Sequence, residues 1–246
     1  DPEEEYNLHR YLNDASRVLR QLFAEGRLPV IAGGSALYIK ALLENYRLQG
    51  GARNPELRSR LRSECMSSLL KILCDTAPDI YRRTDKSQRA RVIRAIEIAH
   101  SRNKAFTAPS VPSHRALLLA PFFDRSEIHR RIRDRLQARL DMGLVEEVEH
   151  LHNNGVSWHR LEQLGLEYRY TAMHLQGKLS RTEFEETLLA RIRRFCKSQD
   201  GWLRKIEREG WCIHWIPRGD AEKATALVRK FLADEPLPAP GFRLND

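Results

Sequence analysis

The fold class is decided by one stretch near the start of the chain, Leu28-Pro29-Val30-Ile31-Ala32-Gly33-Gly34-Ser35-Ala36-Leu37-Tyr38-Ile39-Lys40-Ala41-Leu42-Leu43. Its pattern predicts a buried strand over 28–32, a tight turn at two glycines and a serine, and then a helix. The start of a helix carries free N–H groups and a partial positive charge, so such a turn can receive an anion. A strand–glycine–helix turn also occurs in α/β proteins that bind nothing there, and the residues alone leave both interpretations open.

The composition bounds the class of protein. A chain of 246 residues with 41% hydrophobic residues can form one large domain, or one domain with an insertion. It has no long uncharged apolar run and its first residues are acidic, so neither a transmembrane helix nor a signal peptide is predicted. The four cysteines have neither the spacing of metal ligands nor the density of a disulfide framework, and indicate reduced thiols in a cytosolic protein.

The charge balance indicates a partner. With 42 Lys and Arg residues, the formal net charge is +9 at pH 7. Such an excess favours a polyanionic partner, most simply nucleic acid. A solvated basic surface without that partner remains the alternative.

The first half of the chain changes from an α/β pattern to a purely helical one. Apolar residues at helical spacing between Leu8 and Phe23 precede the predicted strand. Residues 48–55 have the Gly, Arg, Asn and Pro composition of a linker, and residues 56–102 then show helical periodicity alone. We therefore predict a helical insertion over residues 50–110.

Strand patterns return after the insertion. Residues 116–120 are apolar and residues 211–216 alternate, so each segment predicts a strand, with helices between them. The longest of these helices follows Ser180, which with Glu183 has the pattern of a capping box. Its predicted inward-facing residues are Phe184, Leu188, Ile192, Phe195 and Trp202. The order of elements predicts an α/β fold with a parallel-sheet core made of residues 1–49 and 111–246.

Several short blocks, in order along the chain, resemble segments of the tRNA dimethylallyltransferase family. They are Asp1-Pro2 with Tyr6, Gly33-Gly34-Ser35 with Leu37-Tyr38, Arg91 to Glu97, Asp124-Arg125 with Ile128 and Arg131, Met142 to Val148, and Arg193-Arg194-Phe195-Cys196-Lys197-Ser198-Gln199 with Trp202 and Arg204. Each block is weak by itself, whereas their common order over nearly the whole chain is specific.

The resemblance implies a fold and a function. Members of that family transfer a dimethylallyl group from its diphosphate to N6 of an adenosine beside the tRNA anticodon. A tRNA-modifying prenyltransferase is therefore implied, with tRNA and dimethylallyl diphosphate as partners and Mg²⁺ as a cofactor. The implied core is similar to that of P-loop NTPases, with a helical insertion that grips the anticodon stem. We expect a cytoplasmic, monomeric protein without a membrane partner.

Two parts of the family's machinery are not found in this sequence. They are the P-loop, with its G-x-x-x-x-G-K-[ST] pattern, and the Asp thought to accept the N6 proton. A diphosphate leaving group needs N–H donors, a Lys and usually Mg²⁺, and an exocyclic amine needs a carboxylate nearby. We therefore expect the N-terminal portion of the family fold to be absent from this chain, and the chain alone not to catalyse transfer.

The resemblance also implies roles for individual residues. Gly33, Gly34 and Ser35 are expected to bind the diphosphate or the target nucleotide, with Ser35 as the catalytic-site hydroxyl where the family usually has Thr. A hydroxyl at this position can instead cap the following helix, which would make Ser35 structural. The residues expected to bind tRNA are Arg58, Gln88, Arg89, Arg91, Arg94, Gly165, Tyr168, Arg169, Arg193, Lys197, Gln199 and Arg204.

Structural roles remain open for the tRNA-binding set, because arginines are often simply solvated and Tyr168 can serve packing. For the basic stretch Gln88, Arg89, Arg91 and Arg94, phosphate contacts are expected rather than reading of bases. An aromatic beside an arginine, as at Tyr168 and Arg169, can instead stack a splayed base. Two other functions also remain open: a non-catalytic homologue that binds structured RNA, and a prenyltransferase that acts on free adenine nucleotides. The helical insertion argues against the second, because a small acceptor needs no grip on a stem.

Overall fold

A computed structural model describes residues 2–4, 6–46, 54–101 and 114–244 of the chain. Its helices and strands are numbered in chain order as α1 (Leu8–Ala24), α2 (Ala36–Leu43), α3 (Pro55–Ser63), α4 (Met66–Thr76), α5 (Pro78–Arg83), α6 (Arg89–His100), β1 (Leu118–Phe122), α7 (Arg125–Asp141), α8 (Leu144–Asn153), α9 (Trp158–Leu161), α10 (Leu166–Leu175), α11 (Arg181–Arg208), β2 (Ile213–Pro217) and α12 (Ala221–Leu232). None of the helices in these ranges is both long and apolar enough to cross a lipid bilayer.

The chain divides into two compact units. The sheet unit comprises Asp1–Asn7, Val30–Lys40 and Ser113–Asp246, and the helical unit comprises Leu8–Pro29 and Ala41–Pro112. The predicted boundaries of the insertion lie outside the described residues, so the predicted division into core and insertion stays a prediction.

The sheet unit is built on two parallel strands. β1 pairs with β2 in a register that runs from Leu118 opposite Ile213 to Phe122 opposite Pro217. Both predicted strands are confirmed, each displaced by a residue or two, and so is their parallel direction. The first four residues of β2 are buried, as expected of a parallel strand covered on both faces.

The predicted strand over residues 28–32 is wrong. The segment is neither helix nor strand, and Val30 and Ile31 are 83% and 48% exposed instead of buried. An extended segment becomes a strand only where a neighbour takes up its N–H and C=O groups. The only sheet in the described ranges joins β1 to β2 alone, so this apolar segment has no neighbour to pair with.

A stack of helices forms the larger core of the sheet unit. Its buried residues, contributed mainly by α7, α8, α10 and α11, are Leu136, Leu140, Leu144, Val148, Val156, Leu161, Tyr170, Ala172, Phe184 and Leu188. Phe184 and Leu188 face inward as predicted, and the capping box of Ser180 and Glu183 is confirmed.

The predicted burial of α11 is wrong along its middle part. Phe195 and Trp202 are 55% and 37% exposed and belong to neither core cluster at the ends of this helix. The start of α11 packs in the helical stack, and Ile206 near its end packs under β2. At Phe195 and Trp202 the neighbours of this 28-residue helix do not cover the apolar face, so these two residues at core spacing stay exposed.

The helical unit confirms the prediction of helices over the described part of 56–102. Helices α3 to α6 pack around one cluster, whose buried members are Leu57, Leu61, Leu69, Leu73, Val92, Ile93, Ala95 and Ile96. Asn54 caps α3, since its Oδ1 accepts the N–H of Leu57 at 3.0 Å, and Pro55 follows at the first helical position.

Replacing Ser180 with alanine is expected to lower the free energy of unfolding by about 1 kcal/mol. The Ser180 side chain accepts the N–H of Glu183, whose carboxylate in turn accepts the N–H of Ser180 at 2.8 Å. Thr182→Ala is the matched control, because this exposed residue also loses a hydroxyl in the first turn of α11 without being its cap. Urea denaturation measures both variants, and equal stabilities would contradict the capping role.

Candidate functional site

The turn at Gly33 and Gly34 lies exposed in the sheet unit, directly before α2. The Ser35 carbonyl accepts the N–H groups of Tyr38 and Ile39 at 2.9 and 3.1 Å, which begins the helix. The N–H groups of Gly34 and Ser35 make no hydrogen bond in the part of the chain that the structure describes. The turn therefore presents unsatisfied donors at the start of a helix, an arrangement that favours an anion.

The Ser35 hydroxyl is not a helix cap. A capping serine accepts an N–H from two or three residues further on, whereas the exposed Ser35 side chain has no hydrogen-bond partner within the described ranges. The hydroxyl is consequently available to a ligand and makes no hydrogen bond that would stabilise the start of α2.

One hydrogen bond joins this turn to α11. Gln199 Nε2 donates to the carbonyl oxygen of Gly34 at 3.0 Å. The next residue along α11, Asp200, pairs with Arg125 of α7 at 2.6 Å, which anchors the helix at this level. The fold thus brings together two predicted site residues that lie 165 positions apart in the sequence.

The other predicted α11 residues differ in what they contact. Lys197 is exposed and has no partner among the described residues, and the same is true of Arg194. Arg193 is half-buried, and its Nε is buried without a hydrogen-bond acceptor. Arg204 differs, because its Nε donates to the Leu244 carbonyl at 3.0 Å. The unpaired cations can approach phosphate without first breaking an internal bond.

In the helical unit, Arg58 and Arg94 converge on one buried carboxylate. Arg58 Nε and Nη2 donate to the two oxygens of Glu97 at 2.9 and 2.8 Å, and Arg94 Nη1 lies 3.4 Å from it. Burial alone would raise the pKa of Glu97, but the hydrogen bonds and charges of the two guanidiniums outweigh burial and hold that pKa below its ordinary value. Both arginines therefore have structural roles, and their contact with tRNA stays a prediction.

Of the other residues around α6 that are predicted to bind tRNA, Arg89 and Arg91 also make internal contacts, whereas the Gln88 side chain makes no capping hydrogen bond. Gln88 precedes the helix without capping it. Arg91 pairs with Asp85 at 2.7 Å. Arg89 donates to carbonyls at the end of α3, namely those of Leu61 and Arg62 at 3.2 and 3.0 Å and that of Glu64. A guanidinium there satisfies carbonyls that the helix leaves open.

Gly165, Tyr168 and Arg169 lie together at the start of α10. Gly165 has a φ of 152°, which favours glycine at this position. The Tyr168 hydroxyl donates to Glu147 at 2.5 Å, and this hydrogen bond to a carboxylate raises the pKa of Tyr168. Arg169 Nε donates to the Glu162 carbonyl at 2.8 Å. Their predicted role in binding tRNA remains untested by these contacts.

Sequence reasoning missed two charged residues that hold the sheet unit. Lys40 of α2 is only 3% exposed and pairs with Glu209 at 2.9 Å. Arg160 donates to the backbone carbonyls of Pro2 and Glu4, which ties down the start of the chain. Lys40 is the only charged residue in the apolar helix α2, and this position in the sequence could have predicted that it is buried and paired. No pattern in the sequence predicts the role of Arg160.

The described residues offer no ready metal site. Nowhere in their ranges do three His, Cys, Asp or Glu side chains come together as ligands would. Mg²⁺ prefers several oxygen ligands, so no residue here is assigned to the Mg²⁺ that the resemblance implies.

Ser35→Ala is expected to leave the free energy of unfolding within about 0.5 kcal/mol of the original value. The reason is that the hydroxyl caps no N–H group. Urea denaturation measures the difference, with Ser35→Thr as the variant that keeps a hydroxyl. A loss of about 1 kcal/mol, the size of a lost helix cap, would show instead that Ser35 is structural.

Glu97→Gln is expected to lower the free energy of unfolding at pH 7 by about 2 kcal/mol, because charge-assisted hydrogen bonds to Arg58 become neutral ones. The pKa of Glu97 is lower in the folded than in the unfolded protein. Its contribution is therefore complete above the unfolded-state pKa and is lost as the pH falls through the folded-state pKa.

Urea denaturation between pH 7 and acid pH tests this dependence. Glu56→Gln is the control, since this exposed carboxylate lies in the same unit. A stability difference between the original chain and Glu97→Gln that does not shrink in acid would contradict the assignment.

The arrangement can be compared with known proteins. A model of the IPP transferase family matches residues 1–206. The tRNA dimethylallyltransferase 1 of Syntrophus aciditrophicus is 39% identical over 224 residues, which cover 90% of this chain and 73% of that protein. The tRNA dimethylallyltransferase 1 of Hahella chejuensis is 40% identical over 233 residues, 94% of this chain and 76% of that protein.

Two solved structures share the fold. The full-length tRNA isopentenylpyrophosphate transferase of Bacillus halodurans matches with a TM-score of 0.60 and 22% identity, over 95% of this chain and 75% of that one. The tRNA delta(2)-isopentenylpyrophosphate transferase of Staphylococcus epidermidis matches with a TM-score of 0.59 and 22% identity, over 93% and 78%. With the family model covering most of the chain and relatives this similar in sequence, the chain belongs to the IPP transferase family, that of the tRNA dimethylallyltransferases.

Proposed function

We propose that this protein is a tRNA-modifying prenyltransferase, which takes dimethylallyl from dimethylallyl diphosphate to N6 of the adenosine next to the tRNA anticodon. The observation that carries the proposal is the name tRNA dimethylallyltransferase on relatives 39–40% identical over most of this chain. The turn before α2 and the unpaired cations of α11 are chemically suited to the phosphates of both substrates.

The turn is proposed as part of the diphosphate site. In the transfer, N6 of the adenosine bonds to the first carbon of the dimethylallyl group while the C–O bond to the diphosphate breaks. Negative charge develops on the leaving diphosphate, and oriented N–H donors stabilise it. The unsatisfied N–H groups of Gly34 and Ser35 and the free Ser35 hydroxyl are such donors.

The proton lost from N6 needs an acceptor, for which a carboxylate is suited. We assign no residue of this chain to that step, because the Asp implied by the resemblance has no counterpart in the sequence. The P-loop pattern is likewise not found in it. That this chain alone does not complete the transfer therefore stays a prediction, as do the P-loop-NTPase-like architecture of the core, the cytoplasmic location and the monomeric state.

The exposed cations of α11 are proposed as the tRNA contact of the sheet unit. Arg194 and Lys197 have no internal partner among the described residues, so their charge is available to phosphate. The arginines of α6 already donate to groups of the protein, so only their remaining N–H groups would be able to contact RNA phosphates. Contacts of both kinds are independent of base sequence and sensitive to salt.

A competition experiment tests the proposal. An unmodified tRNA with adenosines beside the anticodon competes, in a mobility-shift assay at fixed salt, against the same tRNA with those adenosines replaced. Preference for the intact loop supports a tRNA-modifying function. Equal binding of both tRNAs with a steep salt dependence would leave only a basic surface or a general binder of structured RNA. Displacement of both tRNAs by free adenine nucleotide would favour a nucleotide prenyltransferase.

Lys197→Gln is expected to weaken tRNA binding and to reduce the slope of log affinity against log salt by about 1, because one phosphate contact is lost. Arg130→Gln is the matched control, since Arg130 of α7 is already paired with Glu127 at 2.8 Å and Asp134 at 3.2 Å. Mobility shifts at several salt concentrations give both slopes. Equal changes in the two variants would argue against α11 as the contact.

A further inference from the structure

The bond between Gln199 and Gly34 defines the orientation of a side-chain amide. Only the nitrogen of a carboxamide can donate, and the Gly34 carbonyl can only accept, so Nε2 must face the turn. Within the described residues Gln199 makes no other side-chain hydrogen bond. One of the two N–H donors of its amide is thus committed to the turn, which holds the side chain against the protein.

The same bond also sets the direction of a peptide plane. The carbonyl of Gly34 and the N–H of Ser35 belong to one peptide group, and no cis peptide occurs in the described part of the chain. In a trans peptide the C=O and N–H point in opposite directions. The Gly34 carbonyl accepts Gln199 Nε2 at 3.0 Å and also the N–H of Ala36 at 3.1 Å. Because these bonds fix the carbonyl with α11 on its side, the Ser35 N–H is turned away from that helix, and this N–H has no partner among the described residues.

The residue type at position 34 fits this contact. A Cβ built on Gly34 would lie 3.3 Å from Gln199 Nε2, closer than ordinary van der Waals contact. The amide therefore approaches the backbone at a distance that a side chain at position 34 would oppose. The close approach of Gln199 thus favours glycine at position 34, independently of the turn conformation.

Gln199 is carried by a firmly supported part of α11. Asp200 is paired with Arg125 of α7, and Ile206 lies in the same apolar cluster as Ala36, the first residue of α2. Gln199 therefore lies within a regular element, and Gly34 lies two residues before another one whose first residue is packed, which favours accurate positioning of the turn.

We infer that Gln199 is a positioning residue for the turn, which aims the Ser35 N–H at the anionic group of the substrate. The inference rests on the proposed role of this turn in binding diphosphate. The sequence implies tRNA binding for Gln199, whereas this inference gives it a role in placing the turn. One hydrogen bond then links two of the blocks that resemble the family, the one ending at Gln199 and the one at Gly33-Gly34-Ser35.

Inorganic pyrophosphate is the probe that tests it, titrated into the full chain and followed by calorimetry and by the Ser35 amide signal in NMR spectra. Gln199→Met keeps the length of the side chain and removes both polar atoms. It is expected to weaken pyrophosphate binding about tenfold, the effect of one hydrogen bond, and to shift the Ser35 amide signal. Affinity for tRNA is expected to be unchanged, and the melting temperature to fall by no more than about 4 °C.

Two further variants make the experiment specific. Gln137→Met is the matched control, because the Gln137 amide bonds Asp141 at 2.8 Å on the exposed side of α7; it is expected to leave pyrophosphate binding unaltered. Gly34→Ala is expected to weaken binding by displacing the amide, and combining it with Gln199→Met is expected to cause little further loss, because both act on one bond.

The outcomes separate this inference from the proposed function. If the unaltered chain binds no pyrophosphate, the proposed diphosphate role of the turn fails and the inference fails with it. If pyrophosphate binds and Gln199→Met binds it equally well, only the inference is overturned. Weaker tRNA binding with unchanged pyrophosphate binding would overturn it in favour of a direct RNA contact.

Discussion

The parallel pairing of β1 with β2 is the constraint on which the rest of the sheet unit depends. Parallel neighbours cannot be joined by a hairpin, so the chain must cross over and return. Helices α7 to α11 form that crossover, and α11 brings the chain back under β2, where Ile206 packs with Ile213. Ala36 lies in the same cluster. The apolar contacts that close the crossover thereby also place Gln199, two turns before Ile206, beside the glycine turn.

Buried charges secure the end of this crossover. Glu207, buried next to Ile206, accepts the indole N–H of Trp215 at 2.8 Å and the backbone N–H of Leu244 at 3.0 Å. Glu209 pairs with Lys40. A buried charge is costly unless it is paired or hydrogen-bonded, so each such group tolerates few alternative arrangements of its neighbours. The position of the site turn therefore depends on polar contacts as well as on the apolar cluster.

The same requirement explains why charge patterns along the sequence are ambiguous about function. Glu97 is buried and needs cations, and Arg58 and Arg94 supply them. From the sequence alone, an arginine that pairs with a carboxylate of its own protein cannot be distinguished from one that binds a phosphate. Periodicity has a similar limit: it predicts which face of α11 is apolar, but it does not predict whether a neighbour covers that face at Phe195 and Trp202.

The sequence by itself determined the helices, the two parallel strands, the capping box at Ser180 and the family, because these follow from local periodicity, short-range hydrogen bonds and motif order. It also singled out Gly34, Ser35 and Gln199. Only the tertiary structure decided that residues 28–32 lack a strand partner, that Ser35 caps nothing and that Gln199 donates to Gly34. Each of these depends on which distant group lies within hydrogen-bonding distance, and that is a property of the assembled fold, which no local pattern encodes.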